Sequence, residues 1–306
     1  MARLERPTAE TETQLAVIAD PHVGVRSEGG SKLFHLTETH LSNAVADINA
    51  RNVDTVLSVG DLTKDGEPWN FDAVDGILEE LDAPFYAIPG NHDVPKVSDR
   101  HETPSADAFA NRYTPDGGYP FYHRVGDVDI VGLNTAGTAE YLTDTHQGGI
   151  ATTARPAARE AVENADDPVV LSHFNLPATF DRLRAHRDDV APDMAIPPTT
   201  RDGPAVRDLL ASGDPGVVFT GHLHMPGTVL DGSVREVMVP TTCSYPQAYC
   251  TATIGPGGTT VRFHQVAATT GLRHAYATRS RSSTTSSELT AMAAERLARF
   301  PLVEEM

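Results

Sequence analysis

Five short apolar runs in this chain each stop at a side chain able to hold a metal ion, and that repetition limits the fold more than any other feature. The clearest pair lies between Val56 and Val94, in VLSVGDLTKDGEPWNFDAVDGILEELDAPFYAIPGNHDV. Val56–Val59 and Phe85–Ile88 are bounded by Gly and Pro, as buried strands are. Between them Phe71, Val74, Leu78 and Leu81 recur at helical spacing. The unit reads strand, helix, strand, and in such a unit ligands bind beyond the carboxyl ends of the strands. Those ends carry Gly60-Asp61 and Gly90-Asn91-His92-Asp93.

The same ending recurs elsewhere. Leu15–Ala19 runs into Asp20-Pro21-His22, whose carboxylate and imidazole can point to one side of the backbone and suit a borderline divalent ion. The glycines of Gly60-Asp61-Leu62-Thr63-Lys64-Asp65-Gly66 allow a tight turn close to an ion. In the next motif Asn91 offers a carbonyl oxygen, His92 a titratable ring, and Asp93 a carboxylate to orient it. Val169–Ser172 ends in His173, and Val217–Thr220 enters Gly221-His222-Leu223-His224, whose two histidines can reach one centre. Each ending alone also reads as ordinary turn chemistry. All five together do not.

The remaining segments read as support. Residues 33 to 50 predict a helix with Leu41, Val45 and Ile48 on one face and with His35 and His40 on its surface. The polar stretch from Ser98 to Tyr119 and the Pro-rich stretch 177 to 204 predict loops over the active face. Phe121–Val125 and Val128–Leu133 predict an antiparallel hairpin turning at Gly126-Asp127. His146 lies in a loop from which it could approach the site, and a helix follows within 152 to 165. A short helix carries Val206, Leu209 and Leu210, and strands are expected at 234–239, 248–254 and 259–266. One domain is expected over residues 1–272. Residues 273–306 then form a Ser/Thr-rich linker and an amphipathic helix carrying Leu289, Met292, Ala293 and Leu297. That helix would dock on its own chain or on a partner, a homodimer being one such arrangement.

Charge excludes one class of partner. Acidic residues outnumber basic ones 42 to 24 in 306 residues, giving a formal charge of -18, and only Lys32, Lys64 and Lys96 are lysines. Nucleic-acid affinity needs cationic side chains that displace counterions from phosphates, so DNA or RNA binding is not expected. The acidic, lysine-poor composition resembles that of halophilic proteins from salt-saturated cytoplasm. No apolar run approaches the about 20 residues of a membrane span, and the N-terminus lacks a signal-peptide core, so a cytoplasmic protein with no membrane partner is expected. Cys243 and Cys250 are expected as free thiols.

The ordered set D-x-H, G-D-(x)4-G, G-N-H-D, H and G-H-x-H, spread over residues 15 to 266, resembles the calcineurin-like metallophosphoesterases. NVDTVLSVGDLTKDG and APFYAIPGNHD most resemble the class III cyclic-nucleotide phosphodiesterase group. The resemblance implies an α/β fold, a four-layer αββα sandwich, and two divalent metal ions, with Mn, Fe and Zn all compatible with the donor set. Asp20, His22, Asp61 and His224 would hold one ion; Asn91, His173, His222 and a shared Asp61 would hold the other. It also implies hydrolysis of phosphoric esters by a metal-activated water, His92 assisting the leaving oxygen and Asp93 orienting His92. The substrate expected is a small diester or nucleotide. A phosphomonoesterase or nucleotidase of the same fold, and an inactive scaffold on it, are the alternatives. Where Ser/Thr phosphatases carry arginine before the motif glycine this chain has Asp65, and where purple acid phosphatases carry tyrosine it has Lys64. The H-H-P-P often found after the fifth motif is replaced by His173-Phe174-Asn175-Leu176-Pro177, a departure that bears on cyclic-nucleotide specificity.

Overall fold

The apolar runs are unbroken because the strands they form are covered on both faces. A computed structural model describes residues 1–137 and 147–306, so the expectation for His146 lies outside the described residues. In chain order the elements begin β1 (Ala2–Leu4), β2 (Thr13–Ile18), α1 (Thr37–Asn49), β3 (Thr55–Ser58), α2 (Pro68–Leu78), β4 (Phe85–Ala87) and α3 (Ala106–Tyr113). They continue β5 (Phe121–Val125), β6 (Val128–Gly132), β7 (Ala136–Gly137), β8 (Gly149–Ile150), α4 (Arg155–Asn164), β9 (Val169–Ser172), α5 (Pro177–Asp189) and α6 (Gly203–Ser212). The rest are β10 (Val217–Thr220), β11 (Gly227–Asp231), β12 (Val234–Met238), β13 (Ala248–Gly255), β14 (Gly258–Gln265), α7 (Thr269–Arg279), α8 (Thr284–Leu297) and β15 (Val303–Glu304).

Among the described residues one sheet runs β15-β1-β14-β13-β2-β3-β4 and a second runs β11-β12-β10-β9-β6-β5. In the first, β2, β3 and β4 are parallel and β13 joins β2 antiparallel. In the second, β12, β10, β9 and β6 are parallel, and β5 closes the edge as the antiparallel hairpin partner of β6. Side chains alternate across each strand. Val17, Leu57, Leu171 and Phe219 meet between the sheets. Their neighbours Ile18 and Val56 pack under α1, α2 and α3 with Leu41, Phe71 and Phe109. Val170 and Val218 pack under α4 and α6 with Val162, Val206 and Leu210. The result is helix, sheet, sheet, helix, the four-layer αββα sandwich.

Several local expectations are corrected. Residues 177–189 are helical, not loop: Pro177 starts α5, where its missing N–H costs nothing, and Phe180 and Leu183 are buried. The 98–119 stretch contains α3, capped by Ser105, whose side chain accepts from the Ala108 N–H. His40 is buried on α1 beside the Gln247 amide, 3.2 Å from its Nε2. From Arg273 the chain stays helical to Arg279 and resumes as α8, so a linker is confined to the few residues between them. Leu289 and Ala293 of α8 pack with Phe180, Leu183, Val229 and Met238, and β15 pairs with β1, so the tail docks on its own chain. Cys243 and Cys250 are both free and buried. No described helix is long and apolar enough to cross a membrane.

Candidate metal centre

The carboxyl ends of β2, β3, β9 and β10 and the turn after β4 converge, and the backbone there takes conformations that L-residues avoid. Asp20 (φ 49°), His22 (φ 44°), Asp61 (φ 55°), His222 (φ 65°) and His224 (φ 55°) are all left-handed. Such residues persist only where the surroundings determine them, and they cluster at functional sites. Here Asp20 N–H donates to the Gly60 carbonyl at 3.0 Å, His22 N–H to the Asp61 carbonyl at 3.0 Å, and His222 N–H to the Asp20 carboxylate at 3.1 Å. Glycine is required at position 90: a Cβ there would lie 2.1 Å from Asp61 Oδ1.

The seven side chains expected as ligands are brought together. Asp61 Oδ2 lies 3.3 Å from His22 Nε2 and 3.4 Å from His173 Nε2, midway in the cluster. On one side, Asp20 Oδ1 lies 3.3 Å from His224 Nε2, and His22 Nε2 is 3.1 Å from the same nitrogen. On the other, Asn91 Oδ1 is 3.1 Å from His173 Nε2. The His222 ring stands 5.3 Å from that of His173. Donors bound to one ion at roughly 2.0–2.2 Å lie a little over 3 Å apart, so these separations suit metal ligands. Among the described residues three overlapping clusters have metal-binding spacing: Asp20, His22 and His224; Asp20, Asp61 and His173; and His22, Asp61 and His92.

Hydrogen bonds fix which ring nitrogen keeps its lone pair. His173 Nδ1–H donates to the Val59 carbonyl at 2.8 Å, leaving Nε2 for the cluster. His222 Nε2–H donates to the Pro198 carbonyl at 2.9 Å, leaving Nδ1. Burial pushes His22 and His224 down and His222 down to about 3, so these rings are neutral donors. Burial would raise Asp61, yet the imidazoles of His173, His92 and His22 hold it well below the usual carboxylate range. His173 is opposed by burial, but Asp61 raises it to about 9. Two buried carboxylates, imidazole nitrogens and an amide oxygen form a mixed N/O set for borderline divalent ions.

His92 is where the sequence expectation needs correction. Asp93 does not orient it. The Asp93 carboxylate is fully buried and accepts from the N–H groups of Leu62 (3.0 Å), Thr63 (2.9 Å) and Gly90 (3.0 Å) and from Thr63 Oγ1 (3.0 Å). It ties the β4 turn to the loop after β3. His92 Nδ1–H instead donates to Asp65 Oδ1 at 2.9 Å and to the Lys64 carbonyl at 2.7 Å, which turns Nε2 toward the cavity. Asp65 was visible in the sequence as the acidic residue before Gly66, but its partner was not. Two further residues were missed. Lys32 Nζ lies 3.2 Å from His22 Nδ1 and 3.4 Å from His92 Nε2. Arg279, on α7, donates to the carbonyls of Leu223 (3.1 Å), His224 (2.6 Å) and Tyr245.

A cavity of about 270 Å³ opens above the cluster, bounded by Lys32, His92, Pro198 and Arg279 and by Ser286 and Leu289 of α8. Phe174, in place of the second histidine of H-H-P-P, wedges against the rings of His173 (5.3 Å) and His222 (4.4 Å). Asn175 donates to Glu236 at 2.8 Å, beneath the site.

Comparison with known proteins agrees with this geometry. A family model described as calcineurin-like phosphoesterase matches residues 13–226. A protein of Rhodopseudomonas palustris named as a probable cyclic nucleotide phosphodiesterase is 28% identical over 222 residues, covering 70% of this chain and 72% of that one. A Synechococcus protein with the same description is 31% identical over 84 residues, and that match spans 30% of its length and 28% of this chain. A dimetal phosphatase from Danio rerio superposes with a TM-score of 0.59 at 15% identity, over 83% of this chain and 96% of its own. At that identity the likeness is one of fold.

Proposed function

This chain belongs to the calcineurin-like phosphoesterases, hydrolases of phosphoric esters, and on that premise we propose that it is a phosphodiesterase acting on a small diester or nucleotide. The carrying observation is the convergence of Asp20, His22, Asn91, His173, His222 and His224 around the single carboxylate of Asp61, with His92 at the cavity edge. The names of the two curated relatives favour the diester. The cavity volume favours a compact substrate.

Asp20, His22, Asp61 and His224 would hold one divalent ion, and Asn91, His173, His222 and the shared Asp61 the other. When bound, such a pair supplies Lewis acidity toward a phosphoryl group and lowers the pKa of a coordinated water. The chain supplies the rest. Asp61 places anionic charge between the two sites. The carbonyls of Val59 and Pro198 hold the tautomers of His173 and His222. His92, with Nδ1–H on Asp65, presents Nε2 to a leaving oxygen and can hold a proton there, while Asp65 stabilises the resulting imidazolium. Pro198, Leu289 and Arg279 wall off the cavity.

The test is the initial rate of manganese-loaded protein on bis(p-nitrophenyl) phosphate and on p-nitrophenyl phosphate in high salt, with His92→Ala as control. A diester preference that collapses in the variant supports the reading. A monoester preference assigns the protein to phosphomonoesterases or nucleotidases instead, and no rate on either ester with two metals bound favours a scaffold.

A further inference from the structure

All three lysines of this chain, which carries a formal charge of -18, gather around His92. Lys96 Nζ donates to the His92 carbonyl at 3.3 Å and lies 3.8 Å from Asp99. Lys64 accepts the His92 Nδ1–H on its carbonyl, while its Nζ pairs with Asp65 at 2.7 Å and Glu67 at 3.6 Å. Lys32 differs. Its Nζ reaches His22 Nδ1 and His92 Nε2, and among the described residues it forms no ion pair with a carboxylate. Arg279, which also borders the cavity, is committed to three backbone carbonyls.

We infer that Lys32 is the substrate's phosphate-binding side chain, donating to a phosphoryl oxygen at the edge of the cavity that His92 also faces. This rests on the phosphoesterase reading and specifies which residue of this chain recognises the anion. Three observations converge. The ammonium borders the cavity. It is delivered by a hydrogen-bonded turn, not a loose loop: Leu33 N–H donates to the Gly30 carbonyl, Phe34 N–H to Gly29 and Leu36 N–H to Leu33, with Leu33 itself buried in a left-handed conformation. Of its two nitrogen partners only His92 Nε2, at 3.4 Å, has a lone pair to offer once His22 holds a cation. A histidine that gives its Nε2 lone pair to a cation carries its proton on Nδ1, so His22 Nδ1 and Lys32 would face each other as two donors. A His92 protonated on Nε2 would do the same. An anion in the cavity that Lys32 and His92 both line accepts from the ammonium, and from His92 Nε2 once that nitrogen carries a proton, and a phosphoryl group has the oxygens to do so.

The test measures inorganic phosphate binding to metal-loaded protein by calorimetry, with metal stoichiometry and thermal unfolding recorded alongside. Lys32→Met loses a charge-assisted hydrogen bond and weakens phosphate binding by about 10- to 100-fold. Its metal content stays that of the wild type, and Lys32→Arg restores most of the affinity. Lys32→Gln carries the same expectation should the Met variant fold poorly. In turnover the loss appears in KM more than in kcat. Equal phosphate affinity in wild type and variant, no phosphate binding by loaded wild type, or loss of metal from the variant overturns the inference. Phosphate binding that depends on Lys32 in a protein without esterase activity keeps it and defeats the hydrolase reading instead.

Discussion

Exchanging the expected roles of Asp65 and Asp93 gives a prediction that separates catalysis from stability. Asp65 touches the imidazole of His92, and Asp93 touches only the backbone around it and Thr63. Asp65→Asn removes the negative charge facing His92 Nδ1–H. A hydrogen bond to a charged group is worth about 1.5–3 kcal/mol when buried. The Asp65 side chain is 33% exposed, so solvent screening reduces this to about 1–2 kcal/mol. If His92 assists the leaving oxygen, that loss falls on the transition state and lowers kcat about 5- to 30-fold, with KM and metal content little changed. The melting temperature should stay within about 2 °C, because Asp65 is partly solvated and an asparagine keeps an oxygen for the His92 Nδ1–H.

Asp93→Asn should behave in the opposite way. Its carboxylate accepts from three buried N–H groups and a hydroxyl, and an amide has one oxygen to offer where the carboxylate had two. At least one buried donor is left without an acceptor, at about 1–3 kcal/mol each, and the amide's own N–H groups face donors. Unfolding should move down by several degrees, with kcat per folded molecule closer to wild type than in Asp65→Asn. The assay is kcat and KM on bis(p-nitrophenyl) phosphate with parallel thermal scans in high salt. A silent Asp65→Asn together with an Asp93→Asn that loses kcat at unchanged stability would refute the assignment.

Chelation and a helix substitution test the rest of the centre. Removing divalent ions with EDTA should lower the unfolding temperature reversibly; ligand present at about 1,000 times its dissociation constant contributes roughly 4 kcal/mol. An unchanged melting curve would show that Asp20, Asp61 and their histidines bind no ion in the folded protein. Arg279→Met should cost about 2–4 kcal/mol, because the carbonyls of Leu223, His224 and Tyr245 lose their donors in a buried place. It should also weaken metal binding, since the backbone of His224 is released. A variant with normal stability and full metal content would remove Arg279 from any role in holding that loop.

The convergence of the proposed ligands was legible because each is local to a strand end: an apolar run fixes the strand, and the residue after it must emerge at the same edge as its parallel neighbours. Asp20, Asp61, His173 and His222 needed no knowledge of what lies across the sheet. Lys32, Asp65 and Arg279 act across long sequence separations through side chains whose direction is set by packing, and residue spacing does not encode that. Asp93 misled because adjacency to His92 suggested contact. In a tight turn the two neighbouring side chains diverge, and here one enters the backbone knot while the other faces the cavity. α5 was missed for a related reason: Pro177 and Pro192 to Pro198 made the stretch look like loop, although a proline at the first turn opens a helix as readily as it ends one.

Strain and clamping at the centre account for each other. Five of the seven proposed ligands are non-glycine residues at positive φ, each costing about 1–3 kcal/mol against a relaxed backbone. Such a cost is tolerated only if other bonds would be lost on relaxation, and those bonds can be named. Relaxing Asp20 or His22 would break their N–H bonds to the carbonyls of Gly60 and Asp61 and, for Asp20, the bond its own carbonyl accepts from Thr241 Oγ1 at 2.7 Å. Relaxing His222 or His224 would release the Asp20 carboxylate on one side and the Arg279 guanidinium on the other. Asp61 is held through Oδ1 by the His92 N–H at 2.8 Å, which leaves Oδ2 for His22 and His173. The strand ends therefore bind one another before they bind anything else, and the carboxylate between the two halves of the site is oriented by the backbone of the residue whose ring faces the cavity.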